Sequence, residues 1–184
     1  VTLLGESMGG VLALTAAPDL PDRIRRVVAV NAYDYADGIM RSSLLARFII
    51  TGVLAPGAGP LLAKLEPKSI MRAVLHGGLV DKAALRDDYL DELLKVGRRP
   101  GYSTVARAVY GSLPSLIAAR SRYSEIKAPI DLIYGEKDWS RPSDRQANAR
   151  LLPSAKFTQV PNAGHFIALE KPHVPAHLLL NQVA

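Results

Sequence analysis

Three residues of the 184-residue chain combine types and settings that permit acyl transfer: Ser7 in "GESMG", Asp138 in "YGEKDWSRP" and His165 in "VPNAGHF". A serine hydroxyl is a weak nucleophile until a base takes its proton, and the base needs an acid to hold its tautomer. In that chemistry Ser7 attacks a carbonyl, His165 is the base and Asp138 is the acid. The pattern G-x-S-x-G has a further use where a strand runs directly into a helix. The turn is then so tight that the serine is strained and its hydroxyl stands above the sheet. The helix N-terminus leaves backbone N–H groups free, and that of Met8 can donate to an oxyanion forming beside Ser7. Gly5 and Gly9 are expected to be glycine because a side chain at either would strike the neighbouring strand or helix.

Other residues fit parts of this chemistry less well. Asp34, following the run "RVVAVN", is an alternative acid. His173 and His177 lie four apart and read as a solvated helix face, His76 beside Gly77 and Gly78 as a turn residue, and Trp139 as packing at a pocket wall.

The elements needed to hold the three residues can be read from the flanking patterns. Val1–Leu4 is a short apolar run that reads as a buried strand, followed by a helix over Ser7–Ala17 ended by Pro18. Arg26–Asn31 is valine-rich, as a parallel core strand should be. Strand, helix and strand in succession make a βαβ unit, hence a parallel sheet with helices on its faces. The strand signal returns at Ile130–Tyr134 and at Lys156–Val160. A helix opened by Pro142 and ending near Leu152 lies between them, and a terminal helix covers about Pro172–Val183. Ser7, Asp138 and His165 thus all follow strands, at the rim where such sheets place their sites. Between the two halves, from about 37 to 125, the spacing is helical, at Ser42–Ile50, Asp81–Val96 and Tyr102–Arg122. The division is therefore an α/β core of residues 1–36 and 126–184 with a helical block inserted at 37–125.

Composition narrows the classes. Apolar residues make up 48% of the chain, enough for a packed core. There is no cysteine, and the four histidines show no HExxH-type pattern and no carboxylate cluster beside them, so no disulfide, metal or cofactor is expected. The balance of 23 basic to 17 acidic residues gives +6, but the positive residues are scattered without interleaved aromatics, so no nucleic-acid partner is expected. The uncharged stretch Phe48–Ala63 is too short and too broken by proline and glycine to span a bilayer. A small-molecule partner is expected instead. Phe48–Ala63 with Met40, Leu44, Leu45 and Met71 suggests a pocket for an apolar acyl or alkyl group. The sequence specifies no oligomeric state.

The strand-elbow-helix segment, "PDRIRRVVAVNA", "YGEKD" and "VPNAGHFIALEKP" resemble the α/β-hydrolase fold family, in its Ser-Asp-His branch with a helical cap. The resemblance implies Ser7 as nucleophile, Met8 as a backbone oxyanion donor, Asp138 as acid, His165 as base and 37–125 as the cap. Members with aspartate as nucleophile, the haloalkane dehalogenases and epoxide hydrolases, are disfavoured by Ser7. The serine branch implies ester hydrolysis first, with C–C bond hydrolysis, cofactor-free halogenation or a non-catalytic binding role as alternatives. The family has further strands before the elbow, one of whose loops gives a second oxyanion donor. The resemblance therefore implies the C-terminal part of a longer hydrolase, beginning at the fifth strand.

Overall fold

A computed structural model describes residues 1–42, 44–57 and 67–180. Its centre is a parallel sheet of four strands in chain order, β1 (Thr2–Glu6), β2 (Arg26–Val30), β3 (Ile130–Gly135) and β4 (Lys156–Val160). Register runs Leu3 to Val27, Val27 to Ile130 and Leu132 to Phe157. The sheet is parallel because every return path is a crossover, carried between β1 and β2 by helix α1 (Met8–Asp19).

β2 explains the layering. Val27 and Ala29 join one apolar cluster with Val11 and Leu14 of α1, while Val28 and Val30 join another with Ile133, Val160 and Ile167. Both faces are covered, so a run without polar alternation is what this position needs. Each such aliphatic side chain contributes about 1.5–3 kcal/mol on burial. The first cluster is completed by Tyr123 and Leu152, and the second by Val174 and Leu178. Arg26 pairs with Asp131 across the strands at 2.5 Å and donates to the Leu178 carbonyl, tying the terminal helix to the sheet.

Between β2 and β3 lie helices α2 (Leu44–Leu54), α3 (Lys68–His76), α4 (Asp87–Gly97), α5 (Tyr102–Gly111) and α6 (Leu113–Ala118). Met71 of α3 packs on Leu90 and Leu94 of α4 in a small core of their own. After β3 come α7 (Pro142–Leu151), a single-turn α8 (Ile167–Glu170) and α9 (His173–Leu180).

Several boundaries differ from the sequence expectation. α1 continues past Pro18 to Asp19 before Leu20 N–H closes on the Ala16 carbonyl, since a proline in the last turn removes one N–H without forcing the preceding turn apart. The run Asp81–Val96 is broken at Leu85, whose side chain is buried: a 3₁₀ turn at Lys82–Ala84, capped by the Asp81 carboxylate, precedes α4. The run Tyr102–Arg122 divides at Ser112, after Gly111 and before Pro114, and ends in a 3₁₀ stretch, Ala119–Glu125. The expected terminal helix is helical over His173–Leu180; its continuation to Val183 lies outside the described residues, as does the 58–63 portion of the apolar stretch.

Candidate active site

Ser7 occupies the single residue between β1 and α1, at φ 59° and ψ −124°, a region L-residues avoid. It is held there by backbone bonds on both sides. Its N–H donates to Val30 O at 2.9 Å, and its carbonyl accepts from Gly10 N–H at 3.0 Å and from Tyr33 N–H at 3.1 Å. Gly5 has no alternative, because a Cβ there would lie 2.0 Å from the Gly9 carbonyl oxygen. The reciprocal expectation fails for Gly9. A Cβ at that position meets nothing within 4 Å, because it points away from the strand whose backbone crowds it.

The structure brings the three predicted residues into one hydrogen-bonded line. His165 Nε2 lies 2.9 Å from Ser7 Oγ and His165 Nδ1 lies 2.5 Å from Asp138 Oδ1. His165 is wholly buried. Asp138 Oδ2 accepts from the Ser140 N–H at 2.9 Å and from the Ser140 hydroxyl. Burial works to raise the Asp138 pKa, but the hydrogen bond and charge of His165 and the two Ser140 donors outweigh it and hold the carboxyl below its usual range. Arg145 in turn donates to Ser140 Oγ at 2.9 Å, fixing the serine that fixes the acid.

Asp34 is placed elsewhere. Its carboxylate accepts from Tyr123 Oη at 2.7 Å and from Asn148 Nδ2 at 2.8 Å, and desolvation raises its pKa against those two bonds. His173 and His177 are exposed on α9, His76 ends α3, and no group of side chains able to hold a metal occurs among the described residues.

Sequence reasoning missed the residues that lock the loops together. Asn31, buried at φ 45°, donates from Nδ2 to the carbonyls of Gly164 at 3.0 Å and His165 at 2.7 Å, and accepts from Gly135 N–H at 2.8 Å. One side chain thus joins the ends of β2 and β3 to the histidine loop. Glu6, immediately before the nucleophile, accepts from Ala168 N–H at 3.0 Å. Its carboxyl is pushed up mainly by burial, partly offset by that bond and by the nearby imidazole. The positive φ of Asn31, immediately after a valine strand, is the sort of place where asparagine is favoured, and that is the one signal the sequence offered.

Trp139 lies flat on His165, ring centroids 3.8 Å apart and planes 12° from parallel. Both face a cavity of about 310 Å³ that also contains Ser7 and Met8. Its remaining wall is aliphatic and aromatic, with Ile49, Ile50 and Val53 from α2 and Met71, Val74 and Leu75 from α3. Met71 lies where the sequence suggested. Leu44, Leu45 and Phe48 do not: all three are exposed and off the cavity wall, Leu44 and Phe48 because the helical period sets them on the side of α2 away from Val53, and Ile39 reaches the cavity in place of Met40. Met8 heads α1, so its N–H belongs to the first turn, which has no intrahelical acceptor.

Comparison with known proteins gives this arrangement relatives. The chain is 28% identical over 175 residues to the sn-1-specific diacylglycerol lipase ABHD11 of Mus musculus, covering 92% of this chain and 54% of that protein. It is 30% identical over 181 residues to the putative 2-succinyl-6-hydroxy-2,4-cyclohexadiene-1-carboxylate synthase of Bacillus subtilis (strain 168), covering 95% of this chain and 62% of that protein. The chain thus spans between about half and two thirds of the length of these relatives. Among solved structures, the 2-hydroxy-6-oxo-6-phenylhexa-2,4-dienoate hydrolase of Rhodococcus sp. strain RHA1 superposes with a TM-score of 0.71 at 17% identity, over 97% of this chain and 62% of that one. The family model for the alpha/beta hydrolase fold matches residues 1–172, and the chain belongs to that family.

Proposed function

We propose that the chain carries the nucleophile, base and acid of a serine hydrolase that cleaves a carboxylic ester with a neutral, apolar acyl or alkyl group. The observation that carries this reading is the unbroken line Asp138–His165–Ser7 ending at the floor of an apolar cavity. His165 Nε2 takes the proton of Ser7 Oγ as that oxygen attacks the ester carbon, and Asp138 holds the imidazolium that results. The Met8 N–H donates to the oxyanion, a contribution that in comparable sites is on the order of a hundredfold or more in rate. Collapse expels the alcohol, which leaves with the proton from His165. A water then gives its proton to His165, its oxygen adds to the acyl carbon, and the acid departs as Ser7 regains its proton. In this reading residues 37–125 are a cap: their α2 and α3 form much of the cavity wall and select the substrate by its apolar part.

A neutral substrate is favoured over an acid for a specific reason. The B. subtilis and Rhodococcus relatives are named for a carboxylate and a dienoate. Apart from His165, the side chains lining this cavity among the described residues are uncharged, so nothing there pairs a buried carboxylate.

Labelling of the full-length protein by a fluorophosphonate probe tests the reading, with Ser7→Ala as control. Labelling lost in the variant, together with turnover of p-nitrophenyl esters of graded chain length, supports it. A folded protein that does not label refutes it, and preference for a vinylogous diketone acid over every ester moves the assignment to C–C hydrolysis.

A further inference from the structure

The turn that leaves α3, from Gly77 to Asp81, is fastened to the histidine loop at more than one point. His165 N–H donates to Gly78 O at 2.7 Å, and Trp139 Nε1 donates to Gly77 O at 3.1 Å. The third attachment is a side chain. Glu170 Oε1 accepts from the N–H groups of Val80 at 2.5 Å and Asp81 at 2.7 Å, while its Oε2 accepts from Gly164 N–H at 2.6 Å. One carboxylate therefore spans the two segments, holding on one side the residue directly before His165 and on the other the inserted block. Glu170 itself is outside the cavity wall, whereas Val74 and Leu75, at the end of the helix feeding the turn, are part of it.

We propose that Glu170 is a positioning residue for the hydrolase reaction, keeping His165 within reach of Ser7 by locking the Val80–Asp81 turn to Gly164; this rests on the serine-hydrolase reading above. The carboxylate suits the task because it presents two acceptor oxygens to three N–H donors on two loops. An amide cannot do the same. Its one carbonyl serves a single loop, and its NH₂ then faces an N–H on the other. Small displacements of the base are costly, since a misplacement of about 1 Å can reduce rate by about a hundredfold.

The test is made on the full-length protein, with turnover of a p-nitrophenyl ester expressed per serine titrated by fluorophosphonate. Glu170→Gln is expected to lower kcat per titrated site about tenfold or more while KM stays within about twofold, because no cavity contact is lost. Gly78→Ala approaches the same junction from the other side, its new Cβ falling 2.5 Å from the Phe166 ring and 2.9 Å from the Trp139 ring, and is expected to lower kcat comparably. Should Glu170→Gln not fold, Glu170→Asp supplies the measurement, and a selective fall in its kcat supports the proposal. Wild-type kcat per titrated site in the folded variants, even with a lowered Tm, overturns it and leaves Glu170 a purely structural residue. A wild-type protein that fails to label at Ser7 overturns the serine-hydrolase reading first and this inference with it, so the two failures are distinguished by the wild-type arm alone.

Discussion

Asn31 offers a perturbation whose cost can be worked through bond by bond. Asn31→Ala removes the acceptor of Gly135 N–H and the donors to the carbonyls of Gly164 and His165, all in a buried setting. A buried N–H left unpaired costs about 1–3 kcal/mol, and each of the two carbonyl bonds contributes about 0.5–1.5 kcal/mol. Alanine at the φ of 45° held by Asn31 adds about 1 kcal/mol of backbone strain. The sum is about 3–7 kcal/mol, a large share of the ~5–15 kcal/mol that separates a folded domain from its unfolded state. Urea unfolding followed by circular dichroism measures it, with the m-value checking that the unfolded state is unchanged. Asn31→Asp sharpens the test. It keeps the acceptor for Gly135 but turns a carboxylate oxygen toward two carbonyls, so the new carboxyl has a folded pKa above its unfolded value near 4. A raised carboxyl stabilises most when protonated, so the deficit of Asn31→Asp grows as pH rises through that folded pKa and shrinks on acidification. Asn31→Ala has no such dependence. A cost below about 1.5 kcal/mol for Asn31→Ala, or a pH-independent difference between the two variants, would show that the loops are not held by this side chain.

Two further substitutions separate positions that the sequence treats alike. Gly5→Ala drives a methyl into the Gly9 carbonyl and is expected to abolish soluble folded protein, whereas Gly9→Ala, with open space around its Cβ, is expected to leave Tm within a few degrees of wild type. Asp138→Asn is expected to lower kcat by up to about 10⁴ by presenting the wrong partner to His165 Nδ1. Asp34→Asn lowers stability through the Tyr123 and Asn148 bonds but spares kcat per titrated serine; equal kinetic losses would overturn the choice of acid. The depressed Asp138 pKa adds a pH signature. Its share of stability is fully present above the unfolded carboxyl pKa of about 4 and is lost as pH falls through the lower folded value, a component absent in Asp138→Asn.

The sheet and the adjacency of Ser7, Asp138 and His165 were legible because the strands and the turn at Ser7 have local signatures. Apolar runs that need two covered faces mark β2, rich in valine, and β3, built on Ile130, Leu132, Ile133 and Tyr134, and a serine between glycines at a strand-helix junction marks the elbow. Asn31, Glu6 and Glu170 left little or no such mark. Their partners are backbone atoms up to 162 residues away, and a hydrogen bond to a distant N–H imposes no spacing on the sequence. The phase of α2 was illegible for a related reason. Leu44, Phe48 and Ile49 are all apolar, so only the packing of neighbouring helices decides which of them faces the cavity. The same applies to Gly5 and Gly9, whose difference is the direction of an absent Cβ.

The indole lying on the imidazole has an optical consequence. Trp139 is the single tryptophan of these 184 residues, so all indole emission of this chain originates 3.8 Å from the His165 ring and at the wall of the cavity. An apolar guest that displaces water from the ring shifts its emission to the blue. This chain therefore carries its own unlabelled reporter. One emission spectrum reads the filling of that cavity through its wavelength, in real time and without a chromogenic ester.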